Sequence, residues 1–284
     1  MIETVIPIVV QGALLSGLYA LIAIGFTMIY GVGGVLNLSH AGYVMVGGYV
    51  YYTMHQLLGL PMGLAFLIAI LSTTGLALAT YRGLVRYYLY NPTAVFLSTI
   101  VLALIMDHAT VIIFATEMRN VLPIVAGTTT FFGAYVSYNL VAALIVSWIC
   151  IGGVLLFVRR THVGRAMRAL AMDRRGAIIS GINPDRVNLV TWGLSGALAG
   201  IAGICFSSYT YLSPTMWVMP LIMSFAIVII GGLGSIEGSL IGAHIVGFME
   251  TTTTLAIDAR LRGVFVMMIM IAVLVTRPKG LLGR

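Results

Sequence analysis

Apolar residues in this chain fall into long runs that are separated by short polar or glycine-rich junctions. A helix needs about 20 residues to cross a hydrocarbon core of roughly 30 Å. The pattern therefore predicts an all-α polytopic bundle of about nine transmembrane helices, with eight or ten left open because several runs are short or interrupted by glycine. The predicted spans are 7–30, 38–57, 60–81, 93–115, 138–158, 187–208, 217–234, 239–257 and 263–276.

Composition supports a membrane protein. Of the 284 residues, 60% are hydrophobic and 8% are charged, and the mean hydropathy is +1.08. A soluble chain of this length needs far more charge to cover its surface. We therefore expect residues 1–284 to form a single transmembrane domain, with lipid as its surroundings.

The positions of the basic residues predict the orientation of this domain. The net charge of +7 invites a nucleic-acid hypothesis, but the charge is concentrated in particular junctions. With the N-terminus outside and the C-terminus inside, twelve of the fifteen basic residues face the cytoplasm, and seven of them lie between 159 and 186. Because cytoplasmic loops carry the excess of Lys and Arg, this orientation is favoured and no nucleic-acid partner is expected.

Glycine marks both close packing and helix breaks. Gly193 and Ala197, Gly196 and Gly200, and Gly238 and Gly242 have the four-residue spacing that lets helix backbones approach in lipid. Two junctions, at 31–37 and 231–238, are rich in glycine, and interrupted helices in corresponding places often mark a transport pathway. The predicted hinge or helix-break residues are Gly33, Gly34, Gly231, Gly232 and Gly234.

Polar residues inside the predicted spans are candidates for a translocation path. Such groups are costly in lipid unless they face protein or water, so Asp107, His108 and Glu250 require a partner or an aqueous surface. A structural hydrogen bond between helices is the alternative for each of them. Asn37, Ser39 and His40 directly follow the first glycine-rich junction and complete the set of candidates.

Motifs for chemistry are few. A nucleotide-binding Walker A loop ends in Gly-Lys-Ser/Thr, but the only lysine of the chain, Lys279, lies in "RPKGLLGR". Cys150 and Cys205 lie in apolar runs and are expected to fill the core, so no metal or cofactor is predicted. Ser195 in "GLSG" and His244 in "AHIVG" resemble the motifs of rhomboid intramembrane proteases, and their predicted depths allow a Ser–His dyad.

Four stretches together resemble one family: "GLYALIAIGFTMIYGVGGVLNLSHAGYVMVGGY" (17–49), "GRAMRALAMDRRGAIISGINPDRV" (164–187), "GGLGSIEGSLIGAHIVGFME" (231–250) and the final "RPKGLLGR". They are similar to the permeases of branched-chain amino-acid ABC importers, in particular the shorter LivH-type inner-membrane subunit. The resemblance implies a prokaryotic inner (plasma) membrane protein that hydrolyses no ATP itself. Its implied partners are two cytoplasmic ABC ATPases, a LivM-like sister permease or a second copy, and a periplasmic substrate-binding protein.

The resemblance also implies a role for the arginine-rich segment at about 159–186, which matches the cytoplasmic coupling loop that docks on the ATPase. A short amphipathic helix that ends in "GINP" suits such docking. The implied coupling residues are Arg168, Ala171, Asp173, Ala177, Gly181, Ile182 and Asn183.

The sequence departs from the family pattern at three places. Ala41-Gly42 replaces Gly-Glu, Asp107-His108 replaces Gln-Asn, and Gly83 replaces proline. The implied solute is therefore a small polar molecule, which is a branched-chain or other amino acid, urea or an amide. An ion-coupled secondary transporter and a rhomboid-like protease are the competing hypotheses.

Overall fold

The computed structural model of the chain describes residues 2–131 and 133–283. The described residues form twelve α-helices and one β-hairpin. In chain order these are α1 (Ile2–Gly33), α2 (Ser39–Tyr52), α3 (Met62–Thr80), α4 (Arg86–Tyr88), α5 (Pro92–Phe114), β1 (Thr128–Phe131), β2 (Ala134–Ser137), α6 (Tyr138–Arg160), α7 (His162–Met172), α8 (Arg174–Ile179), α9 (Pro184–Tyr209), α10 (Val218–Gly231), α11 (Ile236–Ala256) and α12 (Arg262–Thr276).

Short tighter or wider helical turns extend several of these elements. A π-helical turn at Thr53–Leu57 continues α2, and another at Tyr81–Val85 joins α3 to α4. Turns of 3₁₀ helix at Pro214–Trp217 and Ala259–Leu261 lead into α10 and α12. Each of the nine predicted spans therefore coincides with a helical segment, within a few residues at its ends.

Seven helical segments are long and apolar enough to cross a membrane: Val5–Gly33, Met62–Tyr88, Pro92–Phe114, Tyr138–Arg160, Pro184–Tyr209, Pro214–Gly231 and Ala259–Thr276. The prediction of a helical polytopic membrane protein is confirmed at this level. The second and eighth predicted spans, α2 and α11, are outside this group, so the count of nine stays a prediction.

The hairpin is a departure from the all-α prediction. Strands β1 and β2 pair in antiparallel register, with Thr128 opposite Ser137 and Phe131 opposite Ala134. Three consecutive threonines favour an extended backbone because their branched side chains are stiff. Gly133 has φ +81° in the turn, a conformation that glycine adopts without strain.

Helix α1 lies at the centre of the bundle and packs against α6, α9, α10 and α11. Its residues from 14 to 29 are buried on every side, as expected for a helix that is apolar all round. By contrast, α3, α5, α6 and α12 keep large apolar side chains on the outer surface of the bundle. These outer faces are the ones that lipid can cover.

Small residues bring the helices into backbone contact, as predicted. A Cβ atom at Gly196 would lie 2.7 Å from the Thr73 carbonyl oxygen on α3, and one at Gly242 would lie 2.6 Å from the Ile227 carbonyl oxygen on α10. Gly193 contributes less, because its nearest neighbour is the Leu78 side chain. Helices α9 and α11 are thus close to their neighbours at glycines whose four-residue spacing predicted such contact.

The bundle has two distinct ends. The hairpin end carries β1, β2 and the ends of α2, α5 and α9, while the opposite, arginine-rich end carries α7 and α8.

Candidate functional site

The segment 159–186, here called the coupling loop, is a compact folded unit at the arginine-rich end. Its first helix, α7, is amphipathic: Gly164, Met167 and Leu170 are buried, and Arg165 and Arg168 are exposed. The Thr161 hydroxyl accepts a hydrogen bond from the backbone N–H of Gly164 at 3.0 Å and so caps the helix. Hence one face of α7 lies against the bundle, and the opposite, arginine-bearing face is exposed.

The second helix of the loop, α8, is capped at both ends by residues that sequence reasoning singled out. Asp173 Oδ1 accepts a hydrogen bond from the backbone N–H of Arg175 at 2.9 Å. After α8, Gly181 adopts φ +83°, and the N–H of Ile182 donates to the carbonyl of Ala177 at 3.0 Å. This arrangement closes the helix with the left-handed glycine that the "GINP" sequence predicted.

Asn183 then starts α9. Its Oδ1 accepts hydrogen bonds from the backbone N–H groups of Asp185 and Arg186 at 3.0 and 3.3 Å. Asp185 is in turn bound by Arg86 at 3.2 Å and by the Tyr81 hydroxyl at 2.9 Å. The loop is therefore joined firmly to α9 and to the end of α3.

The outward surface of the coupling loop differs from the predicted one. Ala177 was expected to dock on a partner, but it is only 5% exposed and packs inside its own chain. The large apolar side chains of Met172, Ile178 and Ile179 point outward instead, and Ile179 is 86% exposed. The cause is the rotation of α8, which turns Ala177 inward and its two successors outward.

The remaining predicted coupling residues have mixed positions. Ala171 and Gly181 are exposed, whereas Ile182 is half-buried against the core. Arg168 is exposed, but its guanidinium donates to the carbonyl of Val158 at the end of α6. An apolar cavity of about 80 Å³ lies between part of α7 and the bundle, and Ala171, Met167 and Gly31 are among its lining residues.

The two glycine-rich junctions end helices where predicted, and they meet beside this cavity. Helix α1 ends at Gly33 and α10 ends at Gly231. Gly34, Gly232 and Gly234 have φ values of +68°, +106° and +83°. A Cβ atom at Gly31 would lie only 3.1 Å from the carbonyl oxygen of Gly234, so the two junctions touch.

The predicted path residues do not form one continuous site. Asn37, Ser39 and His40 are all buried at the start of α2, and Ser39 Oγ donates to Asn37 Oδ1 at 2.5 Å. The His40 Nε2 atom lies 3.0 Å from the carbonyl oxygen of Ile22, and Nδ1 lies 3.1 Å from the Ser195 hydroxyl. Since a carbonyl only accepts, Nε2 carries the proton and Nδ1 accepts from Ser195.

Glu250 lies elsewhere, buried between α1, α11 and α12. Its carboxylate accepts a hydrogen bond from the Tyr19 hydroxyl, and its other oxygen is 3.9 Å from Arg262 Nη1. Both oxygens therefore have partners that join three helices.

Asp107 and His108 occupy different faces of α5. His108 is 77% exposed on the outer face, and its Nδ1 donates to the carbonyl of Leu104 at 2.8 Å. Asp107 is 16% exposed, and its Oδ1 is buried with no hydrogen-bond partner among the described residues.

The Ser195–His244 dyad of the competing protease hypothesis does not form among the described residues. His244 Nδ1 lies 2.8 Å from the carbonyl oxygen of Leu240 in its own helix, and its ring lies beside Trp148. Ser195 is fully buried and bonds to His40, whose ring fills the space beside Gly25. The predicted depths were compatible with a dyad, but the two side chains have different neighbours.

Comparison with known proteins shows which family the chain belongs to. The family described as "Branched-chain amino acid transport system / permease component" matches residues 8–274. No solved structure matches the chain significantly.

The chain is similar to three curated permease proteins. The high-affinity branched-chain amino acid transport system permease protein BraD of Pseudomonas aeruginosa is 27% identical over 97% of this chain and 94% of its own length. LivH of Escherichia coli K12, with the same description, is 29% identical over 96% of this chain and 94% of its own. The probable branched-chain amino acid transport permease protein LivH of Methanocaldococcus jannaschii is 30% identical over 97% and 92%. Because this family matches residues 8–274, which is nearly the whole chain, the chain belongs to the permease components of branched-chain amino acid transport systems.

Proposed function

We propose that the chain is the membrane-spanning permease subunit of an ATP-driven importer in the inner (plasma) membrane of a prokaryote. It translocates a small polar solute, which is a branched-chain or other amino acid, urea or an amide, delivered by a periplasmic binding protein. Membership of the permease family, the functions of its relatives and the seven apolar helices support this proposal.

The proposal that the importer is driven by ATP rests on the outward surface of the coupling loop. Met172, Ile178 and Ile179 expose apolar side chains on α7 and α8, which carry arginines and lie outside the seven apolar helical segments. Exposed clusters of large apolar side chains are typical of protein–protein contacts. We assign this surface to one of two cytoplasmic ABC ATPase subunits, with a LivM-like sister permease or a second copy of the chain completing the core and contacting the other.

The proposed topology has the N-terminus outside, the C-terminus inside and nine crossings. Helices α2 and α11 supply the two crossings beyond the seven apolar segments, because both run between the hairpin end and the arginine-rich end. Their buried polar residues lower their hydropathy, and neighbouring helices rather than lipid surround those residues. The arginine-rich end then faces the cytoplasm.

Hydrolysis of ATP belongs to the partner subunits in this proposal. The chain lacks a Gly-Lys-Ser/Thr loop end. The glycine junctions Gly33, Gly34, Gly231, Gly232 and Gly234 are proposed hinges, since they end α1 and α10 next to the coupling loop.

The test uses Ile179→Gln, with Ile179→Leu as the matched control. Burying an isoleucine at an interface stabilises it by about 1.5–3 kcal/mol, so Ile179→Gln should weaken ATPase docking about 10- to 100-fold. Because Ile179 packs on little in its own chain, both variants should fold normally. The measurements are uptake of labelled leucine in cells and co-purification of the ATPase.

Two results would contradict the proposal. Normal uptake and co-purification in Ile179→Gln would exclude this surface as the docking element. Uptake by the wild type that survives removal of ATP would favour the ion-coupled secondary transporter. Ala177 is unsuitable for this test because a larger residue there disturbs the core.

A further inference from the structure

A group of polar side chains lies near the hairpin end, where α2, α5 and the loop after α5 meet. Tyr49 of α2 is only 3% exposed, and its ring packs on Phe114 with centroids 4.6 Å apart. Asp107 lies about two turns before Phe114 on α5, and Arg119 lies five residues after it. Residues 107 and 114 are seven apart, so Asp107 lies on the same face of α5 as the Phe114 ring, and Arg119 donates to the carbonyl of Phe114.

Each of these three residues has a buried polar atom without a partner among the described residues. The atoms are the Tyr49 hydroxyl, Asp107 Oδ1 and Arg119 Nε. Leaving such an atom unpaired costs about 1–3 kcal/mol, and more for a charged group. More than about 90% of buried polar groups in proteins are paired, so three orphans in this group of residues indicate a missing partner.

The chain itself holds these groups apart. Arg119 donates from Nη1 to the Tyr52 hydroxyl at 3.3 Å and from Nη2 to the carbonyl of Phe114 at 3.1 Å. Its backbone is fixed by two hydrogen bonds of 2.9 Å with Leu212. Asp107 Oδ2 lies 3.8 Å from His108 Nδ1, and Arg119 pairs with Glu117 at 4.0 Å. Asp107 and Arg119 therefore form no ion pair with one another among the described residues.

We propose that Tyr49, Asp107 and Arg119 form a binding site for a small zwitterion of the α-amino-acid class. The ligand ammonium donates to Asp107, the ligand carboxylate accepts from Arg119, and the Tyr49 hydroxyl bonds to either group. Charge-assisted hydrogen bonds of this kind are the strong ones, and a fixed carboxylate and guanidinium recognise the two ends together. The inference rests on the proposed function, because it places one solute contact of the permease near the hairpin end.

The test measures ligand affinity of the purified full chain in lipid nanodiscs by thermal shift. The probes are alanine, valine, leucine and isoleucine, together with their N-acetyl derivatives, which lack the ammonium, and their amides, which lack the carboxylate. In the wild type, at least one free amino acid should bind about tenfold or more tightly than both of its derivatives.

The variants separate the two charges. Asp107→Asn should abolish the preference for the free amino acid over the N-acetyl form and keep the preference over the amide. Arg119→Gln should abolish the preference for the free amino acid over the amide and keep the preference over the N-acetyl form. Asp258→Asn and Arg260→Gln are matched controls, because they remove one charge of each sign at the same end and Asn is an equally good helix cap. Both controls should bind as the wild type does.

Tyr49→Phe protects the test against a folding defect, since it removes a single atom and should weaken all the free amino acids about three- to tenfold. Absence of binding by every free amino acid in the wild type would overturn the site, as would equal binding of the three forms. Either of these two results would mean that water alone pairs the three orphan atoms. ATP-dependent uptake is measured separately, so loss of the site leaves the permease proposal standing, and absence of ATP-dependent uptake removes that proposal instead.

Discussion

Gly203 of α9 lies where the backbones of α9 and α2 come closest, and its substitution by alanine tests the packing of the bundle. A Cβ atom at Gly203 would lie 2.0 Å from the carbonyl oxygen of Val44 and 3.0 Å from the backbone nitrogen of Gly48. Both are main-chain atoms that cannot rotate away. Ordinary contact begins at 3.4 Å, so the two helices must separate by about 1.4 Å.

The expected cost follows from this displacement. Overpacking a close contact typically costs about 1–3 kcal/mol. Separation of α2 from α9 also strains the 3.1 Å hydrogen bond between His40 and Ser195, which is worth about 0.5–1.5 kcal/mol. Alanine recovers up to about 1 kcal/mol over glycine through its helix propensity. We therefore expect Gly203→Ala to lower the free energy of unfolding by about 2 kcal/mol, within a range of about 0.5–3.5 kcal/mol.

The measurement is unfolding in detergent micelles, with Gly152→Ala as the matched control. Gly152 is an exposed residue of α6, and a Cβ atom there would meet no neighbouring atom within 4 Å. Its replacement should leave stability unchanged or raise it by up to about 1 kcal/mol. Equal stability of the two variants would refute the backbone contact between α2 and α9.

Three further predictions test the buried polar groups and the chemistry. Glu250→Ala should destabilise the fold by about 2–4 kcal/mol in the same unfolding assay, because it leaves the Tyr19 hydroxyl unpaired and creates a cavity, while Glu250→Gln should lose less than half of that; equal losses would exclude this bond as the cause. A fluorophosphonate should not label Ser195, because the serine is enclosed by helices and bonded to His40; labelling detected by mass spectrometry would restore the protease hypothesis. The purified chain should release no phosphate from ATP above a no-protein blank, and turnover by the chain alone would contradict the assignment of hydrolysis to its partners.

The positions of the helices were predictable because their cause is local. Runs of apolar residues, the glycine junctions and the caps at Asp173 and Asn183 are each encoded within a few neighbouring residues. The central place of α1 was not predictable. Lipid is as apolar as a protein core, so an apolar helix surface does not reveal whether it meets lipid or another helix.

Contacts between segments that are distant in sequence were likewise not predictable from the sequence. The rise of a helix gave the depth of Ser195 and His244, but the rotation of each helix about its axis decides the partner. Ser195 bonds instead to His40, which is 155 positions away. The orphan atoms of Tyr49 and Arg119 were missed for the same reason, although an arginine next to the end of an apolar span was a usable signal.

The construction of the coupling loop determines how a movement of its surface reaches the bundle. Gly164 packs on the carbonyl groups of Phe157 and Val158, which fixes α7 to the end of α6. At its other end the loop passes into α9 through the hydrogen bonds of Asn183, so neither connection is a flexible linker. We therefore expect a displacement of the Ile179 surface to be transmitted to α9, which carries Ser195, whose hydroxyl is bonded to His40 of α2. Under the proposed function, the bond between Ser195 and His40 is thus one contact through which ATPase closure reaches α2.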